Sequence, residues 1–228
     1  GMLTFVFTGI GPLALSIFSE TFARESHAGL ARSWRQIVSF NFFFTAPVYV
    51  FAFLNSTQLI AFIYGSQFAP AGSVMSFYLT FTLVNMALGG GFLASMLYVI
   101  QRSDIVLRIS IEGSILNILL DLVLIPYFNE MGAVDATGSA MVYMSVRQWS
   151  ALNATVDVRG SLPFIGRCFF FSLVAAAPFL LLSAMGWNHL ILSFVAYALS
   201  LVLVLGWVKP LSEEHRTILA GIQPRLGD

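Results

Sequence analysis

The chain has 228 residues, 58% of them hydrophobic and only 10% charged, with 22 Phe and a mean hydropathy of +0.85. Soluble domains carry about 25% charged residues, so this is the composition of an integral membrane protein. Eleven basic and eleven acidic residues cancel, which gives no charge excess to hold nucleic acid, and the single cysteine, Cys168, excludes an intramolecular disulfide and multi-cysteine metal motifs.

A bilayer core of about 30 Å takes roughly 20 apolar residues of helix, and seven stretches reach that length: 2–22, 34–54, 71–100, 105–125, 133–156, 164–185 and 189–208. The expected fold is therefore all-α, with about seven transmembrane helices. The expected organisation is a five-helix bundle over 1–156, two further spans over 157–208 and a polar tail over 209–228. The opening segment, GMLTFVFTGIGPLALSIF, has neither a basic n-region nor a cleavage site. It starts inside the first span, so upstream sequence is expected. The piece from Gln58 to Gly65 is too short to span and is expected to lie at the interface or to cap the second helix.

Cytoplasmic loops of membrane proteins carry the excess of Lys and Arg. All eleven basic residues lie in or beside alternate connections or in the tail, on one side: Arg24, Arg32, Arg35, Arg102, Arg108, Arg147, Arg159, Arg167, Lys209, Arg216 and Arg225. The intervening connections, Asn55 to Pro70, Pro126 to Met131 and Gly186 to His189, hold none. This asymmetry predicts a cytoplasmic C-terminus and an external N-terminus. Helix breakers recur inside the spans, at Gly9, Gly11 and Pro12, at Pro47, at Gly89 to Gly91 and at Pro178. Close packing at small residues accounts for them, as do hinges in a moving carrier.

The polar residues concentrate between Arg108 and Thr137. Glu112, Asn117 and Asp121 interrupt an apolar run from Ile105 to Ile125, which is expected to stop at Pro126 and to restart as a helix at Gly132. A charge at the bilayer centre costs about 2.5–3.5 kcal/mol even on lenient scales, so it faces a cavity, a partner or a pathway. Ser110, Ser114, Asn117 and Asp121 stack on one helical face. Arg108 and Glu112 stand an i,i+4 step apart and are expected to pair. Asp135, Ser139, Tyr143 and Arg147 follow at i,i+4 steps on the next helix, with Ser150 near the same face.

The candidate substrate or ion pathway is thus Ser114, Asn117, Asp121, Asp135, Ser139, Tyr143 and Arg147. Plainer readings stand beside it. The hydroxyls serve as interhelical glue, Asp135 as a solvated or helix-terminal charge and Arg147 as a snorkelling side chain. Asp121, with no basic residue near it, is the group expected to exchange a proton or cation. No catalytic constellation is present: His27, His189 and His215 sit in different connections, and Gly89 to Gly91 lies in an apolar helix without the strand that a phosphate loop needs. No metal site or organic cofactor is expected.

At the junction of the fourth and fifth spans, Asn117, Leu124, Ile125, Pro126, Tyr127, Gly132, Ala133, Ala136 and Thr137 resemble a signature of the polysaccharide biosynthesis flippases. These belong to the multidrug/oligosaccharidyl-lipid/polysaccharide exporter superfamily. Gly11-Pro12 through Ser16, the basic segment Arg24 to Arg35, Ile63-Tyr64-Gly65 with Phe68, and Leu211-Ser212-Glu213-Glu214 are similar to further elements of that family. The chain departs from the pattern at Phe128, Val134 and Asp135.

The resemblance implies the C-terminal lobe of a two-lobe exporter plus two extra spans, with the N-terminal half as its partner. It also implies alternating-access flipping of an undecaprenyl-diphosphate-linked glycan, with a proton or Na+ as candidate coupling ion. A drug or toxin antiporter of the same superfamily would share the fold. A membrane-embedded glycan enzyme would need a polar catalytic loop outside, where Asn55 to Pro70 has no ionisable residue. A helical scaffold would not require Asn117 and Asp121 at membrane depth.

Overall fold

A computed structural model describes residues 10–185 and 189–208 of the chain. Its described regular structure is helical: α1 Ile10–Leu54, α2 Ser56–Tyr64, α3 Ala71–Ala87, α4 Gly90–Val99, α5 Ser103–Phe128, α6 Glu130–Asn153, α7 Leu162–Ala184 and α8 Leu190–Val208, with single 3-10 turns at Ser66–Phe68 and Arg159–Ser161. Among the described residues, four stretches are long and apolar enough to cross a bilayer: Leu13–Leu54, Ala71–Val99, Ser103–Phe128 and Arg159–Ala184.

α1 is two helices joined at one residue. Ser26 leaves helical geometry (φ 61°, ψ −151°), and the residues on either side of it come together in mirrored pairs. Glu25 meets Arg32 at 3.2 Å, Thr21 hydrogen-bonds Ser33 at 3.1 Å, and the Phe18 and Trp34 rings stack at 6.5 Å. Sixteen residues of straight helix would separate the last pair by about 24 Å, so the chain folds back at Ser26. The basic segment expected as a connection, Arg24 to Arg35, is therefore helical apart from one residue, and the arms run 10–25 and 27–54. Residues 2–9 of the first expected span lie outside the described residues.

Trp34 fastens this hairpin to the rest of the first compact unit, which runs to Ile165. It is 1% exposed, and its indole N–H donates to the Val158 carbonyl at 3.3 Å. On another side it occupies the space that a Gly89 side chain would need. Gly89 has a φ of 84°, a left-handed conformation that glycine adopts without steric cost. The third expected span, 71–100, consequently breaks there into α3 and α4.

The second arm of α1 packs on α3 and α4, α3 and α4 pack on α6, and α6 makes the most extensive contact of all with α5. Small residues set these spacings. A Cβ on Gly113 would strike Met144, one on Gly138 would strike the Phe81 ring, and one on Gly132 would strike the Leu124 backbone. The α5–α6 reversal needs only Asn129 (φ 50°), a residue type that tolerates positive φ better than most. This corrects the expected stop at Pro126, because α5 continues to Phe128 and α6 begins at Glu130. A proline withholds only its own N–H; later residues still donate, as Asn129 does to Ile125 at 2.8 Å.

Residues from Gly166 onward form a second compact unit. In it the buried Ser172 hydroxyl donates to the Cys168 carbonyl at 2.8 Å, and the Tyr197 hydroxyl of α8 donates to the Ser172 carbonyl at 3.3 Å. Ala175, Ala176 and Phe179 are buried with them.

Candidate functional site

The polar residues meet where α5 crosses α6, and the orientation of α5 decides which of them. Its buried residues, Val106, Ile109 and Gly113, mark the packed face. Leu107, Ile111, Ile115, Ile118 and Leu122, all more than half exposed, lie about 180° away at 100° per residue. Between these faces are two flanks. One carries Ser110, Ser114, Asn117 and Asp121; the other carries Glu112.

The Glu112 flank is where α6 contributes. The Tyr143 hydroxyl donates to Glu112 Oε2 at 2.9 Å, Arg147 Nη1 lies 3.1 Å from the same oxygen, and Arg147 Nη1 also donates to the Tyr143 hydroxyl at 2.8 Å. The guanidinium sits 5.6 Å from the Tyr143 ring centre. This corrects the expected Arg108–Glu112 pair. Across the interface Glu112 gains two donors, a phenol and a guanidinium, where Arg108 offers only an exposed pairing along one helix. Further along α6, the Ser139 hydroxyl donates to Asp135 Oδ1 at 3.1 Å.

The other flank stays open. Ser114 is exposed and Asp121 half-buried, and neither takes a hydrogen-bond or ion-pair partner among the described residues. Asn117 keeps its side-chain amide nitrogen buried without an acceptor. The seven pathway residues are thus divided. Tyr143 and Arg147 join through Glu112, Asp135 and Ser139 form a local pair, and Ser114, Asn117 and Asp121 line a flank that no hydrogen bond ties to α6.

Two features escaped the sequence pattern. Glu112 is the hub of the interhelical cluster, although i,i+4 spacing assigns it to Arg108. The buried Ser145 hydroxyl donates to Asn85 Oδ1 and ties α6 to α3; Asn85 and Ser145 lie 60 positions apart, beyond the reach of local spacing. The α1 hairpin and the turn into α2 also bury polar atoms without partners, Ser39 Oγ, Asn41 Oδ1 and Asn55 Oδ1. Among the described residues no group of three or more His, Cys, Asp or Glu could hold a metal ion. No protein-family model, curated protein or solved structure matches the chain.

Proposed function

We propose that this chain is one lobe of a multi-pass transporter of the inner membrane that moves a lipid-linked, undecaprenyl-diphosphate oligosaccharide to the outer leaflet by alternating access, for cell-surface polysaccharide assembly. On this reading about seven helices span the bilayer, the C-terminus is cytoplasmic, a second lobe completes the pathway, and a proton or Na+ couples transport. The supporting observation is α5: an apolar, exposed outer face for lipid, with an unpartnered carboxylate, Asp121, and an unpartnered amide, Asn117, on one flank. Carboxylates in such positions serve ion and substrate paths. The glycan cargo rests on the resemblance at Asn117 to Thr137.

The test is Asp121→Asn in the assembled transporter. The expected result is impaired lipid-glycan translocation in vesicles, with expression and thermal stability nearly unchanged. A silent change, or a parallel loss of stability and transport, would remove Asp121 from the mechanism. The same unpartnered Asp121 also suits a cation-coupled drug antiporter, which would extrude cationic drugs in the same vesicles and leave the lipid-glycan in place.

A further inference from the structure

The bond between Glu112 and Arg147 leaves Arg108 unpaired, and Arg108 lines a cleft. The cleft has a volume of about 340 Å³ and lies between the start of α5 and the end of α6, bounded by Arg102, Asp104, Arg108, Arg147 and Ser150, with Ile105 and Ile109 beneath. Three guanidiniums face one carboxylate. Asp104 lies 3.6 Å from Arg102 Nε, and Arg147 spends one nitrogen on Glu112 and Tyr143. Arg108 has no hydrogen-bond or ion-pair partner among the described residues. The positive end of the α5 dipole and the negative end of the α6 dipole meet there and offset one another, so the guanidiniums set the charge of the cleft.

We infer that this cleft binds the phosphate headgroup of an anionic phospholipid. Arginine forks match phosphate oxygens, and charge-assisted bonds of this kind are about twice as strong as neutral ones. The occupant is a lipid and not a free ion because of what adjoins the cleft. Leu107, Ile111 and Ile115 run away from it along the exposed face of α5, offering an acyl chain a continuous apolar track. Basic pockets between spanning helices are a recurring way to hold lipid headgroups at the membrane surface. The inference rests on the membrane insertion proposed above and is independent of the transported cargo.

The test reconstitutes the whole 228-residue chain into phosphatidylcholine vesicles doped with phosphatidic acid, and reads the lipids retained on the purified protein by native mass spectrometry. Retention of phosphatidic acid over phosphatidylcholine by about tenfold is expected. Arg108→Gln should abolish most of that preference, Arg108→Lys should restore part of it, and Arg24→Gln, on a different basic segment, should leave it intact. The melting temperature of Arg108→Gln in neutral lipid should match the parent, since Arg108 holds no partner. Equal retention of both lipids, or an unchanged preference in Arg108→Gln, overturns the site. Displacement of phosphatidic acid by equimolar inorganic phosphate overturns the lipid assignment. A chain that fails to enter neutral vesicles overturns both this inference and the membrane reading beneath it.

Discussion

Glu112 and Gly89 show how much one residue decides in this molecule. Glu112 and Arg147 are both more than a third exposed, so their pairing is worth about 0.5 kcal/mol. A double-mutant cycle of Glu112→Gln and Arg147→Gln should return a coupling of that size in chemical unfolding, whereas the cycle of Glu112→Gln and Arg108→Gln should return none. Gly89 is constrained twice, by a φ of 84° and by the Trp34 indole where a Cβ would lie. Gly89→Ala should cost about 2 kcal/mol, combining backbone strain and overpacking. Gly91, two positions on, is helical with open space where its Cβ would lie. Gly91→Ala should stabilise by about 0.5 kcal/mol, through helix propensity alone. Matched thermal melts in one detergent distinguish the two glycines.

At the scale of elements, α5 is a helix whose polar flank its own sequence forecast and whose partners it did not. The polar face of Ser110, Ser114, Asn117 and Asp121 is legible from i,i+3 and i,i+4 spacing; the apolar face from Leu107 to Leu122 emerges only in the structure, which leaves it exposed. A charge placed at its middle, Ile115→Lys, should raise the cost of insertion by about 2.5–3.5 kcal/mol. Glycosylation mapping of insertion would read this as loss of the span; the same substitution at Leu107, nearer the end, should be tolerated because lysine snorkels there. Pairing across elements was not legible. Asn85 with Ser145 and Glu112 with Tyr143 join residues 60 and 31 apart, and no local spacing rule reaches that far.

For the whole molecule, the testable quantity is which ends of α5 share a side. Gln101 and Asn129 flank this 26-residue helix, both exposed, and stand about 40 Å apart along its axis. In a Cys168→Ser background, single cysteines at these two sites should react differently with an impermeant thiol reagent on intact cells, Asn129 labelled and Gln101 protected. Equal labelling would refute a spanning α5, and the reverse pattern would refute the orientation drawn from the basic residues. The helical count matters here too. Glu130–Asn153 is long enough to span but is not among the four candidate spans, because Glu130, Asp135, Arg147 and its other polar residues lower its hydropathy; Glu130 and Arg147 are exposed, and the small residues Gly132, Ala136, Gly138 and Ala140 are among those it buries.

What the sequence determined by itself is the all-helical class and the rough limits of the later helices, because apolar run length and the need to satisfy every backbone group locally act within a few turns. Leu162–Ala184 and Leu190–Val208 fall within two residues of the expected 164–185 and 189–208 for that reason. Tertiary structure decided what happens between runs and across them. The reversal falls at Ser26 within a segment whose other residues stay helical, and of the three glycines at 89–91 it is Gly89, against an indole 55 positions earlier in the chain, that takes the left-handed conformation. That Tyr143 and Arg147 meet Glu112 and not the flank of Ser114, Asn117 and Asp121 depends on which face of α5 lies against α6, and the close approach of Gly113 to Met144 and of Gly132 to the Leu124 backbone marks that face. Periodicity places residues on a face of a helix; only packing decides which face meets a partner, and so which carboxylate, Glu112 or Asp121, is paired.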